Sequence, residues 1–133
     1  MKIFLASVCM VMAALTVSAF GQEGSIVVRV PFNFVLGDKT LSAGEYGFWS
    51  NKENVFVQDQ HGHRIAILLA NHVTGHSKSK IGRVVFDCYE AQCFLSQVWS
   101  PLQDDGRQVL RSKLQTKVAA KKPATYMALV ANR

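Results

Sequence analysis

Every histidine of the chain, His61, His63, His72 and His76, falls within one sixteen-residue stretch, 61–76. Histidines so crowded raise the question of a metal site. Zinc asks for three or four ligands converging at about 2.0–2.1 Å from each nitrogen. His61 and His63 flank Gly62, so they converge only if that turn folds back. His72 and His76 share a face only if residues 71–76 are helical, and Thr74 with Gly75 disfavours a helix there. A strand expected over 64–70 would hold the two pairs about 20 Å apart. Solvated turn histidines are therefore the expectation, and no cofactor is expected. The alternative is a periplasmic metal-binding protein using His61, His63, His72 and His76, with Asp59 beside the first pair.

The second chemical feature is a cysteine pair. Cys88 and Cys93 lie in RVVFDCYEAQCFLSQVWSP, two β-rich runs about a short polar turn, which predicts a hairpin. With Glu90 and Ala91 as the turn, Cys88 faces Cys93 across the strands within disulfide reach. That register places Val84 and Phe86 on the face of Cys88, and Leu95 and Trp99 beside Cys93. The bridge then points at the core. Catalytic dithiols commonly have two residues between their cysteines and sit at a helix N-terminus. Here four residues intervene on a hairpin, which predicts a structural staple.

Other catalytic signatures are missing from the sequence. It contains no Gly-X-Ser-X-Gly elbow, no glycine-rich phosphate loop and no His-Glu-X-X-His. Asp104 and Asp105, adjacent and followed by Gly106, predict a turn and not an acid–base pair. Phe48, Trp49 and Trp99 are aromatics on short strands, where core packing is the common fate.

The elements that must position these residues read mostly as strands. Ile26, Val28, Val30, Phe32 and Phe34 alternate onto one face, predicting a strand over 25–34. Pro31 offers no N–H, so that strand lies at an edge or is bulged. A turn follows at 36–39, then strands over 45–49, 54–59 and 64–70, the last apolar on both faces and so central. A polar loop covers 71–82, and another turn covers 101–106.

Over 109–122 the period changes. Leu110, Leu114 and Val118 recur every four residues among Arg111, Lys113, Lys117 and Lys121, the pattern of an amphipathic helix. Asp104 and Asp105 before it, Lys121 and Lys122 at its end and Pro123 beyond follow the helix dipole. Such a helix packs its apolar stripe on the sheet or, less commonly, lies on a membrane surface. Residues 125–131 form a last strand. The expected fold is mainly β: a small antiparallel β-sandwich or barrel of about seven strands with one C-terminal amphipathic helix.

The N-terminus carries a compartment signal. Met1 and Lys2 precede an apolar run over 3–15, and small polar residues follow over 16–21, the layout of a secretory signal peptide. Val17 and Ala19, or Ala19 and Gly21, satisfy the peptidase; cleavage between Gly21 and Gln22 is expected. The run is short of the ~20 residues that cross a bilayer, and no second run is long enough. Cys9 lacks a lipobox around it and leaves with the signal. One domain, 22–133, remains. Loss of Lys2 leaves fourteen Lys and Arg against nine Asp and Glu, a net charge of +5.

Two stretches carry a resemblance. VRVPFNFVLGDKTLSAGEYGF (28–48) and VVFDCYEAQCFLSQVWSP (84–101) resemble an uncharacterised family of small secreted bacterial proteins. Its pattern is a Pro-Phe-X-Phe strand, a glycine turn, a Leu-Pro-Ala-Gly-X-Tyr approach to the next strand, and a hairpin ending Phe-Leu-X-X-Val-Trp. Ser42 stands where that pattern favours proline, and the cysteine pair departs from its usual Tyr-Gly-Asp-like turn. The resemblance implies export and a β-rich domain, and brings no catalytic or binding residue.

The function classes follow. The leading one is a non-enzymatic secreted or periplasmic module that binds an anionic envelope polysaccharide or another exported protein, its basic balance favouring anionic surfaces. A metal-binding role comes second, and a hydrolase, for which no coherent residue set speaks, third. No nucleic-acid partner is expected.

Overall fold

Pro31 ends the first strand, and the whole topology turns on that break. In the computed structural model, which describes residues 25–75, 81–101 and 105–131, β1 (Ile26–Val30) stops at Pro31 and β2 (Phe34–Leu36) begins three residues later. The alternation continues through the break. Ile26, Val28, Val30 and Phe34 are all buried in one core, so the chain bends without changing which face is apolar. The expected single strand over 25–34 is therefore two strands, in different parts of the sheet. The expected signal segment 1–21, the expected Gly21–Gln22 cleavage junction, His76 and Asp104 lie outside the described residues.

Gly37, with φ of 61°, turns β2 into β3 (Lys39–Leu41). Then follow β4 (Gly44–Ser50), β5 (Asn54–Gln58), β6 (Arg64–Thr74), β7 (Arg83–Tyr89), β8 (Gln92–Trp99), β9 (Asp105–Val109), α1 (Lys113–Ala119) and β10 (Thr125–Val130). The strand order is β1-β4-β5-β6-β9-β8-β2-β3, with β7 on the other side of β8 and β10 beyond β7. The sheet does not close on itself. The fold is mainly β as expected, with ten strands among the described residues where about seven were expected. One pairing, β2 with β8, is parallel.

β6 bends the sheet into two packed halves. Its residues 64–69 pair with β5, and its residues 70–74 pair with β9. The inner faces meet in one core, where Val28, Phe48 and Val57 from one half meet Phe34, Val84, Phe86, Leu95 and Val98 from the other. Phe86 packs edge-on against Phe32 and Phe34 at 5.2 and 5.4 Å, and Phe34 against Tyr46 at 5.1 Å. Edge-to-face contacts of this kind add to the area term. Asn33 and Tyr46 close the corner: Asn33 Oδ1 accepts from the Ala43 N–H, and the Tyr46 hydroxyl donates to the Ser42 carbonyl at 2.6 Å.

Four expectations need correction. β6 is not apolar-buried on both faces: no described element covers its outer side, and Ile67 and Leu69 are exposed. The polar loop begins later than expected, since residues 71–74 prolong β6 to pair with β9. Residues 105–109 form that strand instead of a turn and the start of a helix. The helix accordingly shrinks to 113–119, where the Ser112 side chain accepts from the Gln115 N–H and caps it.

Candidate functional site

The three described histidines divide between two places. His61 and His63 sit in the turn between β5 and β6, made by Gly62 at φ of 80°. Their backbone N–H groups both donate to Asp59 Oδ1 at 2.9 Å. These bonds, that of His63 foremost, hold the Asp59 carboxyl below the ordinary carboxylate value. The His63 Nδ1 lies 3.5 Å from Asp59 Oδ2, while the two rings stand 6.3 Å apart and tilted. His72 is on β6 opposite Arg107, and its Nε2 lies 3.4 Å from Asp105 Oδ2, which Arg107 also reaches. Each place thus gathers histidine around one carboxylate. Among the described residues no three His, Cys, Asp or Glu side chains form a group able to hold a metal ion.

The cysteines behave as the hairpin predicts. Cys88 and Cys93 are register partners joined by a disulfide, their Cα atoms 4.0 Å apart, and both belong to the main core. The far end of the hairpin differs from expectation. The register slips beside Phe86, which pairs with Leu95 while Val85 pairs with Gln97. Ser96 is the extra residue of a β-bulge, and a bulge exchanges the faces beyond it. Val98 therefore enters the main core, and Trp99 moves to the opposite face of the sheet, where it is still buried.

Outward aromatics are capped by arginines. Arg83 lies 4.6 Å from the Trp99 ring centroid, and Arg64 spans the stacked Trp49–Phe56 pair at 5.7 and 5.1 Å. Trp99 lies flat on Gly106, where a Cβ would meet its ring atoms at 2.6 to 2.8 Å. Between the β2–β3 turn and the outer edge of β6 runs an open groove of about 420 Å³, walled by Leu36, Gly37, Lys39, Arg64, Ala66 and Leu68. It holds one carboxylate, Asp38, and no histidine.

The remaining feature is α1, which lies on the outer side of the half-sheet built by β7 and β8. Its inward face is polar at the centre. Gln115, 4% exposed, donates through Nε2 to Asp87 Oδ2 at 3.1 Å and to the Tyr89 hydroxyl at 3.3 Å. Val118 and Ala119 pack around it on Val35, Tyr89 and Phe94. At the end of the helix Lys122 Nζ meets Glu90 Oε2 at 2.8 Å, fastening it to the hairpin tip. The expected seam of Leu110, Leu114 and Val118 is not the packed face: only Val118 packs, while Leu110 and Leu114 are exposed.

This orientation turns the lysines outward. Residues 115, 118 and 119 face the sheet, so helical geometry points Lys113 and Lys117 to solvent, and both are exposed. The surrounding sequence is one-signed. After Asp105 the chain has Arg107, Arg111, Lys113, Lys117, Lys121, Lys122 and Arg133, and no Asp or Glu. Arg107 is engaged by Asp105 and the Asn51 carbonyl, and Lys122 by Glu90. Among the described residues Arg111, Lys113, Lys117 and Lys121 form no ion pair. Sequence periodicity found the lysines but assigned the inward face to leucines, because a buried glutamine leaves no apolar signal. Comparison with protein-family profiles, curated proteins and solved structures finds no match for this chain.

Proposed function

We propose that this chain is an exported, non-enzymatic β-domain that binds an anionic component of the bacterial cell envelope through the outer face of α1. The observation that carries this reading is the sorting of cations. Arg64 and Arg83 cap aromatics, and Arg107 and Lys122 meet carboxylates. Arg29, Lys39 and Lys52, also outside any ion pair among the described residues, belong to three separate places in the chain. Lys113 and Lys117 on α1 and Arg111 and Lys121 flanking it instead follow one another closely, with no acidic residue in the chain after Asp105. A one-signed face of this kind attracts polyanions over roughly a Debye length, about 10 Å at 0.1 M salt.

Export is supported by the signal-like segment 1–21, and the Cys88–Cys93 disulfide suits an oxidising compartment. Among the described residues no helix is long and apolar enough to cross a membrane. The resemblance to a family of small secreted proteins points the same way. Of the histidines in the metal-binding alternative, His61 and His63 sit at Asp59 and His72 at Asp105, with no three ligand side chains grouped among the described residues.

The test is to express the chain with its N-terminal segment, recover it from the periplasm and pass it over immobilised polygalacturonate. Retention at low salt, release by salt, and loss of retention in Lys113→Glu with Lys117→Glu are the expected results. Wild-type protein that flows through at low salt would refute the reading.

A further inference from the structure

The face that carries the lysines is not purely polar. Leu110 and Leu114 are exposed beside them, on either side of the Ser112 cap. β10 adds more. Among the described residues it pairs only with β7, and Tyr126 stands opposite Asp87, the residue that Gln115 of the helix touches. Tyr126 therefore lies on the same outer side of the sheet as α1. Val130, two residues on each time through Ala128, shares that side. Tyr126 is 74% exposed and Val130 65%, and the whole of β10 contains no charged residue.

From this pattern we infer that the surface is a docking face for an anionic lipid bilayer, an inference that rests on the anionic-partner reading above. Charge complementarity selects the occupant's sign, and the exposed apolar side chains select its class. A soluble polyanion offers nothing for Leu114, Tyr126 and Val130 to enter. A bilayer offers phosphate headgroups for the lysines and an acyl boundary a few ångströms deeper for the apolar tips. Tyr126 suits that depth, since its ring is apolar and its hydroxyl polar. The helix, only 7 residues long, is too short to bind alone. The disulfide hairpin and the Lys122–Glu90 pair hold it against the sheet, so helix and β10 meet the surface as one rigid patch.

The experiment is vesicle co-sedimentation of the exported protein, with phosphatidylglycerol–phosphatidylcholine vesicles, vesicles of phosphatidylcholine alone, and soluble polygalacturonate as a competitor. Binding to the anionic vesicles and not to the neutral ones is expected. Each lysine near an anionic surface is worth roughly a fivefold change in affinity. Lys113→Glu with Lys117→Glu should therefore weaken vesicle binding at least about twentyfold and also abolish polygalacturonate binding. Leu114→Ser with Tyr126→Ser, both at exposed positions that leave the core intact, should weaken vesicle binding about tenfold and leave polygalacturonate binding unchanged. Polygalacturonate binding without vesicle binding would overturn the bilayer inference and leave the anionic module standing. Vesicle binding unaffected by the Leu114 and Tyr126 changes would overturn it too. Failure to bind either probe would remove both readings.

Discussion

Gln115 on α1 and Asp87 on β7, each buried to about 95%, meet through one hydrogen bond of 3.1 Å that joins the only helix described to the sheet beneath it. Asp87 Oδ1 has no partner among the described residues, so this single donor and its neighbours carry the whole task of compensating a buried carboxyl. Removing the donor should be costly. Gln115→Leu is expected to lower stability on the order of 1–3 kcal/mol, the cost of leaving a buried polar group unmet, read as a shift in the urea midpoint. Asp87→Leu added to it should recover part of that loss, because no unpaired carboxyl then remains. A double variant as unstable as the sum of its parts would show that the pair does not act as a unit.

Trp99 and Gly106 make a second mutual dependence. The indole lies where a side chain at Gly106 would be, and Arg83 closes it from the other side. Gly106→Ala should push the ring off its seat and cost about 1–3 kcal/mol, as overpacking does. A red-shifted Trp emission should accompany the loss. Trp99→Ala in the same background should then add little, since the seat is already lost.

What the residues revealed beforehand, and what they hid, follows from the range of the interactions involved. The alternation of Ile26, Val28 and Val30 and the spacing of Cys88 and Cys93 are local, and both led to the observed strands and bridge. The Ser96 bulge is a property of two strands together. Counting along β8 alone assigns Trp99 to the face of Cys93, and only the pairing with β7 moves it to the opposite face, where it is buried apart from the main core. Residues 105–109 were drawn into a strand because the long end of β6 offers them an edge. The period of Leu110, Leu114 and Val118 concealed this. The histidine cluster was plain in the sequence as a concentration of residues, yet the division of the described histidines between Asp59 and Asp105 depends on β6, which begins beyond the turn that holds one carboxylate and ends opposite the other. The basic face was legible as composition, and its direction was not, because Gln115 and not a leucine faces the sheet.

The disulfide closes a short loop, and its contribution should be correspondingly modest. Reduction, or Cys88→Ala with Cys93→Ala, is expected to cost about 2 kcal/mol by loop-closure entropy without changing the circular dichroism of the folded protein. The hairpin is held independently by its flanking core residues Val84, Phe86 and Leu95. Unfolding on reduction at room temperature would mean that the bridge supports more of the fold than the hairpin it joins.

The Asp59 turn makes stability depend on pH. The N–H groups of His63 and His61 favour the ionised carboxyl, so its value in the folded protein lies below the ordinary one. A carboxyl depressed by folding stabilises the fold fully above its unfolded value of about 3.9 and loses that contribution as pH falls through the folded value. Asp59→Ala should therefore lower the denaturation midpoint near neutral pH, and the gap from wild type should shrink as pH falls below about 3.9. Asp59→Asn keeps an oxygen for both N–H groups but cannot ionise. It should hold most of the midpoint at neutral pH and lose the acid-dependent part. An Asp59→Asn variant whose acid profile matches that of wild type would show that the turn is held by its backbone alone, with the carboxylate charge a bystander.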